Sequence, residues 1–264
     1  MKKYIPFMKS APHVAVVRLQ GAITNGGRGL EDTSLAPVLE KAFSKGKPAA
    51  VALEINCPGG SPVQSSLIAA RIRRLADEKQ VPVFAFIEDV AASGGYWLAC
   101  AADEIFVDTC SITGSIGVIS AGFGLQDAIA NYGVERRVHT AGKSKSMMDP
   151  FKKETPADVK RLRGLLEDLH ATFIDYVKSR RGAKLADNPN LFTGEVFIGQ
   201  KGLDQGLVDG IGHLVPVIKS RFGDKVTFRR YGQKRGLLSR FGARMVNDAI
   251  VSVEDRAAFA RFGL

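Results

Sequence analysis

Short runs dense in Val, Ile and Phe alternate along the first hundred residues with segments whose apolar positions recur every three to four residues. That alternation predicts βα units around a largely parallel sheet. Strands are expected over His13–Leu19, Ala50–Asn56 and Val81–Glu88. Helices are expected over Asp32–Ser44, with Asp32 or Ser34 as N-cap, and over Pro62–Lys79. The pattern then repeats with variations: a small-residue helix from Ser93 to Ala102, a strand Glu104–Asp108, and a turn with an extended segment over Ile112–Ser120. A short helix Leu125–Tyr132, a strand Val134–Thr140 and a polar loop Ala141–Phe151 follow. Pro156–Arg181 reads as the longest helix, opened by Thr155 as N-cap with proline at its first position. A helix His213–Arg221, a strand Val226–Tyr231 and a basic helical tail complete the chain. With no internal repeat and no linker, the expectation is one domain with a C-terminal extension.

Composition narrows the class. At 264 residues, 45% hydrophobic and 24% charged, the chain is long enough for one large α/β domain and is ordinary for a globular protein. Cys57, Cys100 and Cys110 show no CxxC spacing, so no zinc site or disulfide framework is indicated and a reducing compartment is the simplest expectation. No stretch approaches the roughly 20 apolar residues that cross a bilayer, and MKKYIPFMKSAP is a poor signal peptide. The expected location is therefore intracellular, soluble or peripherally associated with the cytoplasmic membrane. Of the net charge of +10, residues 221–264 hold ten Lys and Arg against four Asp and Glu, a net of +6. No nucleic-acid module accompanies this excess, so nucleic acid is not an expected partner. A basic helix touching anionic lipid or a partner subunit fits as well as a solvated face does.

Two predicted strands end in glycine-rich turns, NCPGGS at Asn56–Ser61 and AASGGYW at Ala91–Trp97. Ligands of parallel α/β sheets gather beyond the carboxyl ends of the strands, and glycines there leave main-chain N–H groups unshielded. Two such groups converging make an oxyanion hole. Ser93, at a strand-to-helix transition, is either a nucleophile or the start of a small-residue helix packed on a neighbour. Its surroundings are not a GxSxG elbow, because Ala91 takes the first glycine position. His13, His170 and His213 read as structural, His139 as a strand-face residue, and no Ser-His-Asp order is compelling. Lys143 and Lys145 are the alternative bases. A lysine accepts a proton only when held neutral, which requires burial, and Met147, Met148 and Phe151 lie close behind Lys145 in the sequence.

NCPGGS, then ASGGYWLACAADEIFVD, TGSIGV, GKSKSMMDPF and GEVFIGQKGLDQGLVDGIG, in that order and with compatible spacing over roughly residues 12–220, resemble the signal peptide peptidase family of Ser/Lys proteases. The resemblance implies an α/β fold of Clp/crotonase type, repeated ββα units around a largely parallel sheet, with a C-terminal helical extension. It implies Ser93 as nucleophile and Lys145, rather than Lys143, as general base. Ser115 of TGSIGV would orient the lysine, and the amides of Gly60 and Gly94 would form the oxyanion hole. Neither a metal nor an organic cofactor is required. The expected organisation is an N-terminal tail over 1–11, a peptidase domain over 12–222 and a basic extension over 223–264. Peptides such as signal-peptide remnants are the implied substrates, and a homo-oligomeric ring sharing active-site regions is the implied assembly. Two departures stand out: Cys57 replaces the serine of the usual SPGG, and the N-terminal anchor common in the family is not expected here. A crotonase-type acyl-CoA enzyme and a non-catalytic membrane-associated scaffold ring of the same fold are the rival readings.

Overall fold

The computed structural model describes residues 11–26, 29–232 and 256–264. In chain order the first elements are β1 (His13–Gln20), α1 (Asp32–Ser44), β2 (Ala50–Cys57), α2 (Pro62–Lys79) and β3 (Val83–Ala92). Then come α3 (Gly94–Ala99), β4 (Glu104–Val107), β5 (Ile112–Gly114), α4 (Gln126–Asn131) and α5 (Pro156–Arg181). The chain continues with β6 (Val196–Ile198), α6 (Gln200–Asp204), β7 (Gly210–Ile211), α7 (Leu214–Phe222) and β8 (Thr227–Tyr231).

All eight strands join one sheet, ordered β6-β5-β3-β2-β1-β8, with β4 and β7 attached beside β3. Every pairing is parallel except that of β5 with β6. Every residue of β2 is buried, the signature of a central parallel strand covered on both faces. On one face Val14, Val16, Ala52, Phe84 and Phe86 pack with Leu214 and Ile218 of α7. Strand β3 is the organising element: Phe84–Ile87 pair with β4, and Val90–Ala92 then pair with β5 along the same edge. The change of partner coincides with a break in the β2–β3 register between Ile55 and Cys57.

Two compact units divide the chain. The first comprises residues 1–116 and 176–264, including the whole sheet, and the second residues 117–175. Within the second unit only Phe173 is buried.

Helices α1, α2 and α5 begin and end where their patterns predict. Other expectations need correction. The N-cap of α1 is Glu31, which makes no side-chain cap bond, because Asp32 is taken up by Arg71 at 2.6 and 2.7 Å and Ser34 bonds back to the Glu31 carbonyl. No strand forms over 134–140: the segment finds no partner strand, its Arg137 turns back onto Glu135, and Arg136 pairs with Asp149. The strand placed in the C-terminal extension is the edge strand β8 of the main sheet. Of the basic tail, residues 233–255 lie outside the described residues, and 256–260 are helical.

One buried ion pair ties the end of α5 to this sheet. Arg181 is 4% exposed and donates to the two Asp209 carboxylate oxygens at 2.8 and 3.2 Å and to the Gly206 carbonyl at 2.9 Å. Asp209 also accepts from Lys184 at 2.6 Å and from the Ile105 amide at 2.8 Å. Burial alone would raise the Asp209 carboxyl, but these donors outweigh it and hold the group below the usual carboxylate range. Removing one partner of a buried pair leaves the other charged and unpaired, so Asp209→Asn should cost about 3–5 kcal/mol in urea unfolding. Because the folded-state value is depressed, the stabilisation is present above the unfolded carboxylate value of about 4 and is lost as pH falls through the folded one. Wild type should therefore lose stability below about pH 4 more steeply than Asp209→Asn, as followed by unfolding midpoints against pH.

Candidate active site

Strands β1, β2, β3 and β5 all deliver their carboxyl ends to one edge of the sheet, and four chain segments meet there. Ser93 follows the last residue of β3 and adopts φ 52°, ψ −122°. For a residue with a Cβ this backbone costs of the order of 1–3 kcal/mol and persists only when its surroundings enforce it. They do so from both sides: the Ser93 amide donates to the Gly114 carbonyl at 2.9 Å, and the Ser93 carbonyl accepts from the Trp97 amide at 3.0 Å. From Val90 to Ala102 every residue except Ser93 is buried. The sharp strand-to-helix turn thus lifts one hydroxyl out of an otherwise closed stretch. Helix α3 behind it is anchored by Tyr96, whose hydroxyl donates to the Leu207 carbonyl at 2.7 Å, and by Trp97 stacked on Tyr176 at 5.0 Å.

The PGG turn after β2 presses against this corner. A Cβ on Gly59 would stand 2.9 Å from the Ser93 Cβ and 3.0 Å from the Gly94 amide nitrogen, so only a glycine permits the approach. Ile23, beyond the end of β1, straps the turn: its amide donates to the Gly59 carbonyl and its carbonyl accepts from the Ser61 amide, each at 2.8 Å. In a parallel bridge of this kind the intervening residue points its own N–H the other way, and that residue is Gly60. Gly60 has φ 141°, and a Cβ there would fall 2.0 Å from the Ile23 carbonyl oxygen. Gly94, as the first residue of α3, holds one of the amides that a helix leaves without an internal acceptor. The first unit therefore brings Ser93, Gly94 and the Gly59–Gly60 turn together.

Ser115 follows β5 directly and is also at positive φ, 51°, with its amide bonded to the Glu195 carbonyl at 2.7 Å. Its neighbour Gly114 supplies the carbonyl that holds the Ser93 amide, so Ser115 and Ser93 leave adjacent strand ends. Lys145 belongs to the second unit. It lies in a series of turns, its amide bonded to the Gly142 carbonyl at 3.2 Å, and both it and Lys143 are exposed. Met148 is exposed as well, so the residues expected to cover Lys145 do not bury it within its own unit.

The other candidates fall away on position. His13 opens β1, at the opposite end of the sheet, against the Lys45 carbonyl. His213 pairs with Asp108 at 2.8 Å, and His139 is exposed outside any strand. Cys57 is fully buried, and burial pushes the Cys100 thiol up to about 12, where no nucleophilic thiolate forms near neutral pH. Two residues packed at this corner were not visible in the motifs: Ile23, bonded to the PGG turn through its backbone, and Ser65, whose buried hydroxyl lies against Gly94.

Comparison with known proteins bears on what this corner does. A Brucella melitensis protein named Na(+)/H(+) antiporter NhaA is 46% identical over 100% of this chain, which spans only 39% of that relative's length. Among the described residues no helix is long and apolar enough to cross a membrane. A Synechocystis protein named as a protease is 30% identical, over 78% of this chain and 73% of its own length. Protease 4 of Haemophilus influenzae is 30% identical over 75% of this chain and 32% of its own. Among solved structures, the 1510-N membrane-bound stomatin-specific protease in complex with a substrate peptide superposes with a TM-score of 0.54 at 14% identity, covering 93% of this chain and 99% of that one. At that identity the likeness speaks for the Clp/crotonase-like fold, which the parallel sheet bears out. The profile of peptidase family S49 matches residues 76–222, a span that takes in Ser93, Ser115 and Lys145 together. The chain accordingly belongs to peptidase family S49, the signal peptide peptidase family of serine proteases.

Proposed function

We propose that the protein is a serine endopeptidase with a Ser93/Lys145 dyad that cleaves short apolar peptides such as signal-peptide remnants. The observation that carries this reading is the strained, locally unique exposure of Ser93 beside two glycine turns. Neutral Lys145 takes the Ser93 hydroxyl proton as Oγ bonds to the peptide carbonyl carbon. The Gly60 and Gly94 amides donate to the oxyanion that forms. On collapse the C–N bond breaks, and the Lys145 ammonium returns the proton to the departing amine, leaving an acyl-enzyme. Water, deprotonated by the same lysine, then releases the acyl group and restores the Ser93 hydroxyl. Ser115 accepts a hydrogen bond from the lysine and fixes its direction without adding charge. Hydrolysis of a quenched fluorogenic apolar peptide is the expected activity. Turnover of an acyl-CoA thioester without peptide cleavage would instead support the crotonase-type reading.

Assembly belongs to the same proposal. The second unit leaves Phe123, Tyr132 and Ile119 85%, 87% and 66% exposed, apolar side chains that a neighbouring copy would take out of water. A neighbouring copy covering this unit would also supply the desolvation that a lysine base requires. Light scattering should report a multiple of the chain mass, and specific activity should fall on dilution below the assembly threshold. A fully active monomer would overturn this part of the reading. A peripheral contact with anionic lipid through the basic C-terminal residues is the accompanying expectation, supported by their net charge of +6.

A further inference from the structure

We infer that Ser65 is a positioning residue that sets the spacing between the two oxyanion donors, Gly60 and Gly94. This rests on the reading of Ser93 as nucleophile. Ser65 lies one turn into α2, is fully buried, and is a polar side chain in an otherwise apolar row formed by Ile68, Ala69, Ile72 and Leu75. An alanine there would satisfy packing and helix propensity better than a serine does, so the hydroxyl calls for a reason.

Its contacts supply one. Ser65 Oγ donates to the Ser61 carbonyl at 2.8 Å, and the Ser65 amide donates to the same carbonyl at 3.0 Å. Ser61 is the residue whose amide is held by Ile23, directly after Gly60. The double bond to its carbonyl therefore pins the PGG turn from the helix side, while Ile23 pins it from the strand side. On its other flank Ser65 Oγ lies so close to Gly94 that a Cβ added there would stand 2.4 Å from it, with the Ile23 Cδ1 at 3.1 Å. One buried oxygen thus touches the backbone of both turns whose amides are the donors. Oxyanion donors act through distances held to a few tenths of an ångström. A wedge between the two turns can accordingly alter transition-state stabilisation without touching substrate.

The test compares wild type with Ser65→Ala, which removes the tether, and Ser65→Thr, which keeps the hydroxyl and adds a methyl group at a fully buried position. Each variant is assayed with a fluorogenic apolar peptide and with the matching peptidyl aldehyde, whose hemiacetal with Ser93 places an oxyanion in the hole. Both variants should lose about ten- to a hundredfold in kcat with KM unchanged, and aldehyde affinity should weaken by the same factor as kcat/KM. Ser65→Cys, which retains a weak donor, should recover part of the loss. Wild-type kcat in both variants, or a loss explained by a raised KM or by a lowered melting temperature with aldehyde affinity intact, would overturn the inference. If wild type itself forms no aldehyde adduct at Ser93, it is the nucleophile assignment that fails, and the two failures are separable.

Discussion

Replacing Ser93 with Ala is expected to lower kcat for peptide hydrolysis by about 10⁶-fold, the scale seen when a serine protease loses its nucleophile. The fold should survive, because Ser93 contributes its strained backbone rather than a side-chain contact: both its bonds to the scaffold, with Gly114 and Trp97, are main-chain. Alanine does not relieve φ 52°, and a melting temperature within a few degrees of wild type is therefore expected. Lys145→Ala should be comparably inactive and equally well folded, since Lys145 is exposed within its unit. Lys145→Arg distinguishes charge from proton transfer. A guanidinium keeps the cation but does not give up its proton near neutral pH, so it should restore no activity. Initial-rate assays with protein whose assembly state has been verified decide each case.

The second large effect is expected at the glycines. Gly94→Ala places a methyl group 2.4 Å from Ser65 Oγ and 3.1 Å from the Ile23 Cδ1. Both obstacles are buried, so the start of α3 must move and carry its amide with it. Loss of one oxyanion donor costs about 10²- to 10³-fold in kcat, and overpacking of this kind destabilises by about 1–3 kcal/mol. The two costs have different origins and should separate. Combining Gly94→Ala with Ser65→Ala removes the clashing oxygen, so part of the lost stability should return in thermal melts while kcat stays low. Strict additivity of the two stability changes would contradict the contact.

How much of this was legible in the sequence depends on whether the deciding interaction is local. Helices α1, α2 and α5 begin and end where their apolar spacing places them, since a helix closes its hydrogen bonds within a few residues. Strands depend on partners. Glu88 was expected to end a strand that instead runs on to Ala92, because β5 takes over as partner beyond the register break. Residues 134–140 have strand composition and no partner, and remain outside the sheet. The glycine turns and the position of Ser93 at a strand-to-helix turn were readable because close backbone approach leaves a compositional trace. Ser65 and Ile23 were not, because what each lies against is distant in sequence: Ser65 packs against Gly94, 29 residues further along, and the Ile23 backbone bonds to Gly59 and Ser61, 36 and 38 residues further along. The surroundings of Lys145 were equally hidden: Met147 and Met148 are neighbours in sequence, but nearness along a series of turns does not bury an amine.

The most direct measurement of the central claim is labelling by a fluorophosphonate probe across a range of pH, with the modified residue mapped by mass spectrometry in wild type and in Lys145→Ala. A Ser93/Lys145 dyad predicts modification at Ser93 alone in wild type, and close to none at any pH once Lys145 is replaced. Label on another residue, or the same pH profile with and without Lys145, would contradict it.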